Sequence, residues 1–342
     1  MPLTVEVLAM LAGPDRRTGP VLDGLDHRIV AALHVDGRAT WRRIASVLKE
    51  AERTVTRRGT QLLDSGAVTV HALGDPHRIA NSEPFVVLAT CNPGAVWTAA
   101  VGLARRPESV VTHILTGSAD CVVDIWCPQS QLSTLLLHEI GGIGGLARTS
   151  VAPILRYIKT VHNWQPGILT EDEITRLREI PELGPWPSFS DSPALSRADR
   201  LLLKALIEDG RSTYEELGRI SGTSEQTARR RVDALRRSGL LVIRALVDPR
   251  LIGLPIGALL RIKTAPTAVE RVADALSHSP AVRYAAHLMG EYQLLADVRF
   301  ASKAALTDFL VASPWLEHVD AMESSLIIAT LKQSGQFTAE LR

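Results

Sequence analysis

Apolar positions along this chain change their period in the same way twice. From 29 to 62 they fall at helical spacing: Ile29 and Leu33, then Ile44, Val47 and Leu48, then Val55 and Leu62. From 202 to 235 the spacing returns with Leu202, Leu203 and Leu206, then Leu217 and Ile220, then Ala228, Val232 and Leu235. Each stretch predicts three short helices. Asp-Gly-Arg ends the first helix (36–38 and 209–211), and Thr40 and Thr213 stand where the second needs an N-cap. In the second half Ser221-Gly222-Thr223-Ser224 forms a tight turn with Ser224 as cap of the third helix, so the three helices read as a helix-turn-helix.

Beyond each trio the period falls to two. A short strand-pair signal (67–71 and 240–244) reads as a wing or hinge. Strands near 84–91, 109–116, 119–127 and 150–159 then alternate with helices near 94–105 and 129–139, and the second half repeats the order. A β-α-β-β-α-β series is the ferredoxin-like pattern, an antiparallel sheet with helices on one face. The predicted class is α+β, with two winged helix-turn-helix modules alternating with two ferredoxin-like domains.

The two halves are copies at a constant offset of 173 residues: Asp36 to Asp209, Gly66 to Gly239, Pro76 to Pro249. Of the 51 aligned pairs from 26 to 76, 18 are identical, and the offset persists through Gly117/Gly290 and Asp124/Asp297 to Lys159/Lys332. The predicted boundaries are an extension at 1–24, a helix-turn-helix at 25–78, a ferredoxin-like domain at 84–160, a linker at 161–194, a second helix-turn-helix at 195–251 and a second ferredoxin-like domain at 256–334. The prolines between 181 and 187 make the linker read as stiff.

The outward faces of the third helices carry the chemistry. Arg53, Arg57, Gln226 and Arg230 are candidates for reading base edges, where Arg grips guanine and Gln grips adenine. Thr54, Arg58, Thr227, Arg229 and Arg231 flank them as phosphate contacts. Copy one has Lys49-Glu50-Ala51 in place of the Gly-Thr-Ser turn and a glycine, Gly59, inside its third helix, so it is expected to bind DNA more weakly. In the third strand of the α/β unit, Cys121, Val123, Ile125 and Cys127 form one apolar row. Asp120, Val122, Asp124 and Trp126 form a mixed row, as expected of a sheet that packs on a second sheet. His113 is expected on the core side and His287 on the open side.

Composition narrows the choice. With 38 basic and 37 acidic residues the chain is no polycation, so DNA contact must come from a local basic face. Three cysteines suit neither a disulfide framework nor a paired metal site and fit a reducing cytoplasm. No apolar run reaches the roughly 20 residues of a membrane helix. His138-Glu139 lacks a second histidine, and the glycines at 141–145 follow a helix rather than a strand, so neither a zinc-protease motif nor a phosphate loop is present. No metal, cofactor or catalytic residue is expected.

The Asp26 and Asp199 helix starts, the Asp-Gly-Arg turns, Ser221 to Ser224 ahead of the arginine-bearing helix, and Asp-Pro after the wing strand together resemble the Lrp/AsnC (leucine-responsive/asparagine regulator) family. The resemblance spans nearly the whole chain, twice, and implies a RAM/AsnC-type ferredoxin-like domain after each helix-turn-helix. It implies a non-enzymatic, cytoplasmic, oligomeric regulator that binds double-stranded DNA and responds to an amino acid-like effector. In that family the effector sits near the turn joining strands two and three, which here is Gly117-Ser118-Ala119-Asp120 and Gly290-Glu291-Tyr292-Gln293. Siroheme decarboxylases share the two-part architecture, but Asp120, Asp124 and Asp297 have the wrong sign for a multiply anionic substrate. A ligand-sensing module without DNA binding is the other alternative.

Overall fold

The computed structural model describes residues 22–180 and 194–341. The predicted extension up to residue 21 and the proline-rich part of the linker at 181–193 lie outside them. Copy one runs α1 (Gly24–Val35), α2 (Trp41–Leu48), α3 (Glu52–Asp64), β1 (Val68–Gly74), α4 (Pro76–Ala80), β2 (Glu83–Cys91), α5 (Val96–Ala104), β3 (Ser109–Leu115), β4 (Cys121–Cys127), α6 (Gln129–Thr134, continued as a π-helical turn over Leu135–Ile140) and β5 (Leu146–Lys159). After α7 (Glu171–Leu177), copy two runs α8 (Arg197–Glu208), α9 (Tyr214–Ser221), α10 (Glu225–Arg237), β6 (Leu241–Val247), β7 (Ile256–Lys263), α11 (Val269–His278), β8 (Val282–Leu288), β9 (Leu294–Phe300), α12 (Lys303–Ala312), β10 (Ala321–Gln333) and the two-residue β11 (Gln336–Phe337).

The expected caps are in place. Thr40 and Thr213 each accept a backbone N–H of the first turn of α2 and α9, and Ser224 does so for α10. In copy one, Ala51 stands at the cap of α3 with no side-chain bond, and Lys49 takes the left-handed conformation (φ 59°) that Gly222 takes in copy two (φ 69°). Gly59 has a packing reason: a Cβ there would lie 2.3 Å from the Trp41 ring. Copy two has Val232 and Tyr214 at these positions, so a large and a small residue have been exchanged across one contact.

The two helix-turn-helix modules share one hydrophobic core, with Ile29, Leu33, Ile44 and Val55 from one copy joining Leu202, Leu206, Leu217 and Val232 from the other. The segment after each third helix is a single strand and not the expected strand pair, because its partner comes from the other copy. β1 and β6 pair with each other, Val68 opposite Val247 through Gly74 opposite Leu241, so the hinge reading holds and one ribbon ties the copies. The Asp-Gly-Arg turns meet across this ribbon. Arg38 donates to the carbonyls of Gly210 (2.8 Å) and Ser212 (3.0 Å), and Arg211 returns the bond to Gly37 (2.7 Å). Arg38 lies 4.4 Å over the Tyr214 ring and Arg211 4.7 Å over the Trp41 ring. Gly37 is needed because a Cβ would come within 2.8 Å of the Arg244 Cα. Buried Arg236 adds an ion pair to buried Asp36 at 2.9 Å. The helix-ending motif of the repeat is therefore also the seam between the copies.

The stretch at 161–180 is more than a linker. Trp164, Ile174 and Leu177 are buried in the shared helical core, Glu173 pairs with Arg28 at 2.5 Å, and Arg43 donates to the Arg176 carbonyl.

The two ferredoxin-like units join within the chain. β5 pairs through Leu146–Pro153 with β2 and through Ile154–Lys159 with β8; β10 pairs through its first half with β7 and through its second half with β3. Two long strands thus close a single sheet, in the order β11-β10-β3-β4-β2-β5-β8-β9-β7 with β10 returning to β7. Cys121, Val123, Ile125 and Cys127 lie under the helices of copy one, and Leu294, Ala296, Val298 and Phe300 under those of copy two. Val122, Leu259, Ala286 and Leu295 meet between the facing sheets. Both histidines lie opposite to expectation. His113 pairs with Val122 and so shares the inter-sheet row, whereas His287 pairs with Leu294 and shares the helix-covered row, because directly opposed residues of antiparallel strands point to the same face.

Candidate functional site

Three places hold the candidate residues. On α3 and α10 the structure sorts the arginines. Arg53 and Arg57, and Gln226, Arg229 and Arg230, are exposed; Thr54 and Thr227 are half-buried at the first turns. Arg58 is instead bound to Asp23 (2.5 Å) and Asp26 (3.0 Å), and Arg231 to Asp199 (3.0 Å) and Ser196 (3.2 Å). The Asp26 backbone N–H and Arg58 together hold the Asp23 carboxyl below its ordinary range. Burial works to raise Asp199, but bonds from Ser196 and Arg231 outweigh it and bring it below its ordinary value. One member of each repeated Arg-Arg pair thus clamps the third helix to the start of the first, while Arg57 and Arg230 point outward. Asp26 and Arg58, each repeated 173 residues on, were the sequence signal for that clamp.

The two expected effector turns converge on Arg261 of β7. It donates to Ser118 Oγ at 3.0 Å, is ion-paired with Glu323 and lies 4.7 Å over the Tyr292 ring. Asp120 accepts the Cys91 backbone N–H at 2.7 Å, and Glu291 faces Lys263 at 3.5 Å. Gln293 accepts the Thr264 backbone N–H at 3.1 Å. Gly117 has φ 100° and Gly290 turns the second hairpin, while Ala119 is buried. The side chains of Ser118, Asp120, Glu291 and Gln293 thus each have a partner within the chain.

A cavity between the sheets was not foreseen. Its volume is about 120 Å³ and it is partly open to solvent, walled by Val86, Val122, Trp126, Leu259 and Leu295, with Asp124, Tyr157, Tyr284, His113, Arg283 and Asp297 also facing it. Asp124 and Asp297 are equivalent positions of the repeat. At one end Asp297 is held by Arg299 (2.8 Å) and Arg283 (3.2 Å). Burial opposes its charge, but Arg299 and Arg283 outweigh burial and keep its pKa below the ordinary value. His113 itself is pushed down to about 3 by burial, so it is neutral and its 3.8 Å approach to Asp297 is no ion pair; its Nδ1 bonds to Thr330 at 2.9 Å. At the other end the hydrogen-bond partners of Asp124 among the described residues are phenols: Tyr284 donates to Oδ2 at 3.1 Å and Tyr157 at 3.4 Å. Burial lifts its pKa to about 7 against those bonds. Among the described residues no group of three or more His, Cys, Asp or Glu is placed to hold a metal.

Comparison with known proteins fits this geometry. A family model described as an AsnC-type helix-turn-helix domain matches residues 22–63 and again 195–236, and the Lrp/AsnC ligand binding domain matches 257–337. The chain thus carries two matches to the AsnC-type helix-turn-helix domain and one to the Lrp/AsnC ligand binding domain. The HTH-type transcriptional regulator FL11 of Pyrococcus horikoshii is 25% identical over 143 residues, which is 42% of this chain and 95% of that protein. Ptr1 of Methanocaldococcus jannaschii, another HTH-type transcriptional regulator, is 26% identical over 144 residues, covering 42% of this chain and 97% of its own length. Each of these relatives thus spans about the length of one copy, and this chain carries two. Along nearly the whole chain the fold is like that of the siroheme decarboxylase NirDL, with a TM-score of 0.59 at 11% identity over 91% of this chain and 93% of that one.

Proposed function

We propose that this protein is a DNA-binding transcription regulator in which one chain supplies both halves of a two-headed reader. The observation that carries the reading is the pair of third helices, α3 and α10. Each leaves the arginine of the repeat, Arg57 or Arg230, exposed beside Arg53 or Gln226, while its neighbour Arg58 or Arg231 fixes the helix in place. Two modules related by the reciprocal Arg38 and Arg211 contacts suit two half-sites about one helical turn, roughly 34 Å, apart. The named relatives, transcriptional regulators, support the same reading, as does the ligand binding domain match for a small effector. A cytoplasmic location, with the DNA, belongs to this proposal; among the described residues no helix is long and apolar enough to cross a membrane. The test is a gel-shift titration at low salt with promoter DNA of its own or the neighbouring gene. Sequence-preferring retardation that weakens in Arg57→Ala and Arg230→Ala is the expected result.

A second reading is a siroheme decarboxylase-like enzyme, favoured by the whole-chain likeness in fold to NirDL. Against it, Asp124 at one end of the cavity has no cation beside it among the described residues, the wrong sign for a substrate with many carboxylates. A visible-range titration with siroheme separates the two: tight binding favours the enzyme.

A further inference from the structure

We propose that the cavity between the sheets binds a small organic cation, a primary amine or guanidine on a compact apolar body, with the Asp124 carboxylate as its counter-ion. The repeat supplies the reasoning. Asp297 is the same position one copy later, and it has two cations of its own, Arg283 and Arg299. At the corresponding positions copy one has Val110 and Trp126. The two copies share the carboxylate, and copy one lacks both of the counter-charges that copy two has.

Asp124 is nonetheless more than nine-tenths buried, and its Oδ1 has no hydrogen-bond partner among the described residues. An unmatched buried carboxylate oxygen is costly unless something charged or donating meets it. Tyr157 and Tyr284, whose pKa values burial raises well above the ordinary phenol value, stay protonated and donate to Oδ2. That leaves Oδ1 for a ligand. The surrounding rings fit a cation: Trp126 stacks on Tyr157 with centroids 5.9 Å apart, and Tyr157 meets Tyr284 edge-on at 5.6 Å. Val86, Val122, Leu259 and Leu295 make the remaining wall apolar. An anion fits poorly, because Arg283, which also faces the cavity, is already bound to Asp297 and lies 5.6 Å over the Trp164 ring.

This inference deepens the effector half of the proposed function and does not depend on DNA binding. Calorimetric titration of the full chain, without DNA, with benzylamine, benzyl alcohol and benzoate tests it. Benzylamine should bind, with benzyl alcohol and benzoate at least about tenfold weaker. Asp124→Asn should cost at least about tenfold in benzylamine affinity, and Trp126→Arg, which restores one cation of copy two, should abolish it. No benzylamine binding to the unaltered protein, equal binding of the alcohol, tighter binding of benzoate, or unchanged affinity in a folded Asp124→Asn variant would each overturn the proposal. The first three outcomes need no variant to fold. Because gel shift is read separately, amine binding without DNA retardation refutes the regulator reading alone, and the reverse result refutes this inference alone.

Discussion

Asp124 and Asp297 descend from one position of the repeat, lie on opposite walls of one cavity and are both buried, yet their surroundings have diverged. Asp297 keeps its charge because two arginines stand within 3.2 Å; Asp124 is bonded by two phenols, and burial lifts its pKa to about 7. A duplicated backbone fixes where a carboxyl sits, but the residues opposite decide its charge state. Copy two is built as a closed structural end, and copy one keeps an open one.

The comparison breaks most sharply by neutralising each carboxyl in turn. Asp297→Asn leaves Arg283 and Arg299 buried without their anion and is expected to cost about 3–5 kcal/mol in urea unfolding at pH 7. That deficit should shrink in acid, since a depressed carboxylate pKa contributes stability only above it. Asp124→Asn should have the opposite trend. Between about pH 4 and pH 7 the folded wild type holds a proton that its unfolded chain releases, so wild-type stability falls relative to the variant by up to about 1.4 kcal/mol per pH unit. Above pH 7 the difference levels off. Parallel pH profiles for the two variants would dissolve the distinction.

The helix-turn-helix modules sharpen the same contrast at smaller size. Gly59→Val, which copies the residue of the second module, should destabilise by about 1–3 kcal/mol because of the Trp41 ring. Adding Trp41→Tyr should recover most of that loss, and a double-mutant cycle measures the coupling.

Periodicity made the repeat, the three-helix modules and the two rows of each third strand legible, since each rests on neighbours within a few residues. What it hid were pairings between distant segments. A wing strand looks the same whether it folds on its own module or, as β1 does, on the other copy. β5 and β10 carry no mark of the residue where they leave one sheet for the next. His113 and His287 were placed on the wrong faces because parity along one strand gives no face until its cross-strand partner is known. Of the nine candidate DNA-contact residues, Arg58 and Arg231 turn out to clamp their own modules. Their partners lie 32 residues away, beyond the reach of local spacing. The cavity belongs wholly to the meeting of the two copies, so its lining could be named but not assembled.

A smaller effect concerns caps. Ala51→Ser should give α3 the bond that Ser224 gives α10 and stabilise the first module by about 1 kcal/mol, seen as a higher urea midpoint. No gain would mean that the turn is strained in a way the cap cannot relieve.

The central claim, that one chain presents two DNA-reading helices, is tested most directly by selection from a random duplex pool at low salt. Gel shifts of the selected sites with Arg57→Ala, Arg230→Ala and Arg231→Ala then separate readers from clamps. The account predicts a two-part site, with Arg57→Ala and Arg230→Ala each relaxing preference in one half and Arg231→Ala lowering stability without changing preference. Failure to enrich any sequence, or retention of full preference in both reader variants, would contradict it.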